Sequence, residues 1–180
     1  MKRIALTVLL AAALPLAGCG SDKKDDGGPK GPEVAWAGKV CDSVNQSAAQ
    51  LRLPAVNADA KVYKKNVVTF LGDVDARLES MEIGLTKVGT PPASVSGGQA
   101  SVQRTLARLR ATRASLAQAR TRLAKAKVSD QASLRRELTS LNKIMVASAT
   151  YKGPAQDLQK ANPALDKAFD SAASCAKQKA

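Results

Sequence analysis

Any chemistry in this chain would have to come from thiols and carboxylates. Its 180 residues include no histidine, which removes the commonest general base and the commonest metal ligand. The three cysteines, Cys19, Cys41 and Cys175, are too far apart for a CxxC redox pair or a zinc site. There is no glycine-rich phosphate loop and no nucleophile elbow. Asp73, Asp75, Glu79 and Glu82 form the one acidic group. Two converging carboxylates can hydrolyse a substrate by acid and base catalysis, but these four fall on exposed and flanking positions of a helix. Asp75 also comes level with Arg113 in the packing register derived below, so an ion pair is the simpler reading. Met81 and Met145 lie on apolar stripes and are read as packing rather than copper ligands. No catalytic residue, metal or cofactor is assigned, and the chain is expected to be non-enzymatic. The alternative, an extracytoplasmic hydrolase or transferase using Asp and Glu in an interhelical cleft, requires Glu79 or Glu82 to face Asp73 or Asp75 across that cleft.

Cys19 has a different setting. Lys2 and Arg3 precede an uncharged apolar run from Ile4 to Ala17, followed by Gly18 and Cys19, the pattern of an export signal. The run is shorter than the roughly 20 residues of a spanning helix. Leu16-Ala17-Gly18-Cys19 resembles the lipobox of bacterial lipoproteins. That resemblance implies that the Cys19 thiol receives a diacylglyceryl group and that the chain is cut just before it. Residues 1–18 are then a signal peptide, and Cys19 is a lipidation site anchoring the protein at the extracytoplasmic face of the cell membrane. Two or more acyl chains give lasting attachment, at ~0.8 kcal/mol per buried methylene. An ordinary secretory cut is the alternative, but Pro15 and Gly18 leave no good small-x-small site. Residues 19–32 hold charges of both signs, glycine and proline, with no apolar side chain beyond Cys19 to bury. They read as a flexible tether with a reach of ~20 Å.

With Cys19 acylated, Cys41 and Cys175 have only each other. Outside the reducing cytosol a disulfide between them can persist, tying the first helix to the last; two buried free thiols are the alternative. Trp36-Ala37-Gly38-Lys39-Val40-Cys41, with a distant cysteine near the end of an alanine-rich chain, is similar to small secreted lipoproteins of actinobacteria. The similarity implies a helical, disulfide-clamped envelope protein and brings no catalytic residues with it.

The elements that would position these groups are helical throughout. Aromatic residues make up 3% of the chain, and its abundant alanine, leucine and arginine favour helices over sheets. An all-α antiparallel bundle of four to five helices is expected over 33–180. The first helix runs from Glu33 to about Leu53 with a narrow apolar stripe, placing it against the other helices rather than at their centre. The second follows a cap at Asn57 or Asp59, with Val67, Leu71, Val74, Leu78, Met81, Leu85 and Val88 in unbroken four-three alternation. Gly89 to Gly98 form a loop. The third runs from about Gln99 to Val128, alternating Val102, Leu109, Leu116 and Leu123 with the smaller Thr105, Thr112, Ala119 and Ala126. Antiparallel neighbours pair residues whose numbers have a constant sum, and Leu78 with Thr112, Val74 with Leu116 and Met81 with Leu109 all sum to 190. A long central αα-hairpin in this register is therefore predicted. Ser129-Asp130 caps a fourth helix through Leu134, Leu138, Leu141, Met145 and Ser148. Asn162-Pro163 starts another, and residues 153–178 either reverse or bend.

The formal charge of +13 is concentrated in the third helix. Residues 99–128 carry Arg104, Arg108, Arg110, Arg113, Arg120, Arg122, Lys125 and Lys127 and no acid. These eight are candidates for contact with an anionic partner: wall polymer, lipid headgroups or an acidic protein. The competing reading is a solvated, partly salt-bridged face, with only Arg104, Arg110 and Lys125 well outside the core. Nucleic acid is not expected, because the anchor holds the protein outside the cell and no aromatic side chains stand near these arginines for stacking.

Overall fold

A computed structural model describes residues 31–46, 51–149, 151 and 153–176; the leader, Cys19 and most of the tether lie outside these. Among the described residues there are seven helices and no strand: α1 (Pro32–Gln46), α2 (Ala60–Val88), α3 (Gly98–Lys125), α4 (Gln131–Ala149), α5 (Pro154–Ala161), α6 (Pro163–Ser171) and α7 (Ala173–Ala176). None of these is long and apolar enough to cross a membrane.

The α2–α3 hairpin is the spine. Asp59 opens α2, its carboxylate accepting from the N–H groups of Lys61 and Val62, which would otherwise lack partners. The opposite end closes where Gly89 takes a positive φ of 78°. Val67, Leu71, Val74, Leu78, Met81 and Leu85 are buried along α2; Val102, Thr105, Leu109, Leu116, Ala119 and Leu123 are buried along α3. The contacts across the pair bracket the expected register. Lys64 reaches the carbonyl of Ala126, Asp75 meets Arg113, and Glu82 meets Arg110, pairs whose numbers sum to 190, 188 and 192.

Packing on the spine divides into two apolar clusters. Around the Gly89 loop, α1 inserts Trp36, Ala37, Val40 and Cys41 among Leu158 of α5 and Leu165, Ala168 and Phe169 of α6. Trp36 and Phe169 meet edge to face at 6.1 Å, and the Trp36 indole N–H donates to the Gly89 carbonyl. Toward the other end, Leu134 and Leu141 of α4 complete a cluster with Val67, Leu71, Leu116 and Leu123.

Three expectations are corrected. The first helix ends at Gln46, and Leu51–Asn57 is non-helical; Pro54 excludes the helical conformation from the residue before it, and the extended stretch reaches back past Leu53 to Leu51. Nor is α1 peripheral, for it packs on α2, α5, α6 and α7. Its stripe includes Trp36, whose large side chain buries more surface than the small residues around it suggest. The bundle also has seven helices rather than four to five, because the last third bends repeatedly. Asn162 and Ala172 leave the helical conformation with extended backbone, dividing α5, α6 and α7.

Cys41 and Cys175 are joined by a disulfide, Cα to Cα 5.2 Å, across 134 residues of sequence. It fastens α7 to α1 at the edge of the Trp36 cluster.

Candidate functional site

The charge pattern of α3 resolves into two parts with different employment. In the middle of the helix the arginines are held by carboxylates of the same chain. Arg113 Nε–H donates to Asp75 Oδ1 at 3.1 Å and its Nη1–H to Glu82 Oε2 at 2.8 Å, with Glu79 Oε1 3.2 Å from Nη2. Arg110 binds the other Glu82 oxygen at 2.6 Å. The spacing explains the cluster: Asp75, Glu79 and Glu82 stand four and three residues apart and share one face of α2, opposite Arg113 in the hairpin register. Hydrogen bonding from Arg110, against the opposing cost of burial and reinforced by Arg113, holds the Glu82 carboxyl below its ordinary value. Burial works against the Arg113 cation, but the hydrogen bonds it donates to Glu82 and Asp75, with the charges of Asp75 and Glu79, outweigh it and raise its pKa.

The remaining candidate residues differ one from another. Arg108 donates to Asp157 of α5 at 2.9 Å, and Arg122 lies 3.7 Å from Glu137 of α4. Asp157 also neighbours the largely buried Tyr151 phenol, whose pKa is pushed far up by burial first and by the Asp157 charge second. Arg104 donates to the Ser101 hydroxyl. Arg120 lies across Gly72 of α2, its guanidinium carbon 3.2 Å from where a β-carbon would stand. Lys125 and Lys127 are exposed and make no ion pair among the described residues.

These two lysines mark the second part. At the end of the hairpin away from Gly89, Lys127 meets Lys61, Lys64 and Lys65 of α2 around a shallow concavity of about 700 Å³. Lys64 is committed to the end of α3, its Nζ donating to the carbonyls of Ala124 and Ala126 at 2.8 and 2.7 Å, where a cation meets the negative end of the helix. Lys61 and Lys65 are exposed. Asp59 and Asp130 stand nearby and serve as N-caps: the Asp130 carboxylate accepts from the Ser133 N–H at 2.7 Å, and that bond first, then the Ser133 hydroxyl, lowers its pKa. The positive ends of α2 and α4 thus share the same tip as the lysines.

Of the eight candidates in residues 99–128, only Lys127 lines this concavity. Lys61 and Lys65 were hidden in the sequence because the five bases of residues 59–88 are matched by five acids. The matching is not local, since three of those acids serve Arg113 and Arg110 farther along the hairpin. Among the described residues, no group of three or more histidine, cysteine, aspartate or glutamate side chains is placed to hold a metal ion. No family model, curated protein or solved structure matches the chain.

Proposed function

We propose that the chain is an extracytoplasmic lipoprotein, anchored to the cell membrane through Cys19, and that its helical domain is a non-enzymatic module binding an anionic partner of the envelope. The anchor rests on the leader and lipobox pattern, and a disulfide suits a compartment outside the reducing cytosol. One observation carries the binding reading: Lys61, Lys65 and Lys127 gather around one concavity at the end of the hairpin, while Arg108, Arg110, Arg113 and Arg122 are paired with carboxylates of the same chain. Unpaired like charges in a concavity raise the local concentration of anions. The carboxylates that an acid and base hydrolase would need are instead engaged, with Asp75, Glu79 and Glu82 all on Arg113, which supports their structural role.

The position of the tip narrows the partner. The tether enters the domain at Gly31, and Trp36 five residues on is already at Gly89. The lysines lie at the opposite end of α2, a helix of 29 residues and therefore about 43 Å long. A module anchored through residues 19–32 would offer this end to anionic wall polymer or an acidic protein away from the bilayer. The test compares wild type with a Lys61→Glu, Lys65→Glu, Lys127→Glu variant in co-sedimentation with purified envelope polymer over a salt series. Binding that weakens with salt and is lost in the variant is expected. Equal retention of both proteins at every salt concentration would remove the lysine tip from the account.

A further inference from the structure

A second concavity, on the other side of α2, has the opposite character. It occupies about 680 Å³ between α2, the C-terminal half of α4 and the non-helical stretch 51–56, within the ~300–1,000 Å³ range of ligand cavities. Its wall is mostly apolar, with Phe70, Val74, Leu78, Met81 and Met145 along it and Asn142, Ser148 and Tyr151 among its polar side chains. Leu53 and Val56, 84% and 82% exposed, stand at its margin, where the chain holds apolar side chains out in water.

Among the described residues, a single charged one lines this cavity. Arg77 projects from α2 into it, and its Nε is buried with no hydrogen-bond partner among the described residues. An arginine N–H taken out of water without an acceptor is a standing cost, unlike Arg113, where every nitrogen has a carboxylate. An anionic group entering the cavity would meet the Arg77 cation on its lining, and a guanidinium suits a carboxylate. The rest of an occupant is expected to be largely apolar, matching the α2 side chains that line most of the wall. A peptide fits less well, since Tyr63, Asn142, Ser148 and Tyr151 offer fewer partners than the N–H and C=O groups of an extended backbone require.

We propose that this cavity binds an anionic single-chain amphiphile of the fatty-acid class, with its tail along Phe70, Val74, Leu78 and Met145 and its headgroup on Arg77. The inference is independent of the lysine tip and of the anchor. Such a site is not legible from sequence, because Val74, Leu78 and Met81 are also core residues of the hairpin and the expected first helix takes in Leu51 to Leu53.

The test uses the full chain in phosphatidylcholine nanodiscs with two photoactivatable probes, diazirine analogues of dodecanoate and of dodecylammonium. Crosslinks are mapped by mass spectrometry. The dodecanoate probe is expected to label residues within 51–56, 63–81 and 142–151, to be displaced by unlabelled dodecanoate, and to outlabel the cationic probe. Arg77→Gln should cut labelling by the anionic probe by at least roughly tenfold and should not weaken labelling by the cationic probe. Val56→Asn alters only an exposed side chain, so the fold is preserved, and it should weaken both probes. Crosslinks scattered outside these segments, equal labelling by the two probes, or anionic labelling unchanged in Arg77→Gln would overturn the proposal.

Discussion

Replacing Arg113 with methionine keeps most of the apolar stem and removes only the charge, isolating what the carboxylate cluster contributes. The Arg113 side chain is 24% exposed, and its partners Glu82, Asp75 and Glu79 are 15%, 25% and 51% exposed. The two more sheltered pairs contribute about 1 kcal/mol each, and the half-exposed Glu79 pair adds little. Removing the cation also leaves Asp75 and Glu79 as like charges four residues apart, at a cost of a few tenths of a kcal/mol. The expected loss is therefore ~2 kcal/mol, a fall in melting temperature of roughly 4–8 °C for a domain of this size. Thermal unfolding followed by circular dichroism at pH 7 measures it. The sign of the pH dependence is fixed by Glu82, whose folded pKa lies below its ordinary 4.5. Its contribution is complete above that ordinary value and disappears as pH falls through the lower, folded one. Wild type and variant should therefore converge in melting temperature once pH has fallen through that lower, folded value. A difference that persists there, or a double-mutant cycle with Glu82→Gln showing no coupling, would refute the reasoning.

Other perturbations follow from the same contacts. Reducing the Cys41–Cys175 bond, or replacing both residues with serine, opens a loop spanning 134 residues; the expected loss is about 5 kcal/mol on the chain-entropy view, visible as a lower melting temperature under reductant. Asn162 is buried, caps α6 through the Ala164 and Leu165 N–H groups and donates to the Ser96 carbonyl at 2.8 Å. Asn162→Ala should cost ~2–3 kcal/mol in denaturant unfolding, and Asn162→Ser, which keeps the cap, should recover about half. Burial and Asp157 raise the Tyr151 pKa above its ordinary 10.0; the unfolded phenol ionises first as pH rises, so stability should fall above about pH 10, and Tyr151→Phe should flatten that fall.

How much of this was legible beforehand varied with the kind of interaction. The hairpin could be read because α2 and α3 each carry a long apolar repeat, and two long repeats admit few registers that pair large with small. Asp75 opposite Arg113 followed from that register; Glu79 and Glu82 on the same arginine follow from helical spacing once Arg113 is placed. The lysine tip was not legible, since Lys61 and Lys65 are separated from Lys127 by over sixty residues and appear balanced by acids that bond elsewhere. The breaks at Asn162 and Ala172 were half visible. Proline at 163 announced a helix start, but nothing in the alanine-rich run around Ala172 distinguishes a bend from continued helix. The depth of Trp36 was missed for a related reason: α1 is short and its stripe is mostly small residues, so its central place depends on partners far along the chain.

The proposal's most direct test is the chemical state of Cys19. Intact-mass and N-terminal peptide analysis of the protein recovered from the producing cell's membrane fraction should show a chain beginning at Cys19, its mass raised by a diacylglyceryl group, with Cys41 and Cys175 linked. A peptide running continuously through Ala17, Gly18 and an unmodified Cys19 would contradict the anchor, and with it the compartment in which the lysine tip is argued to meet its partner.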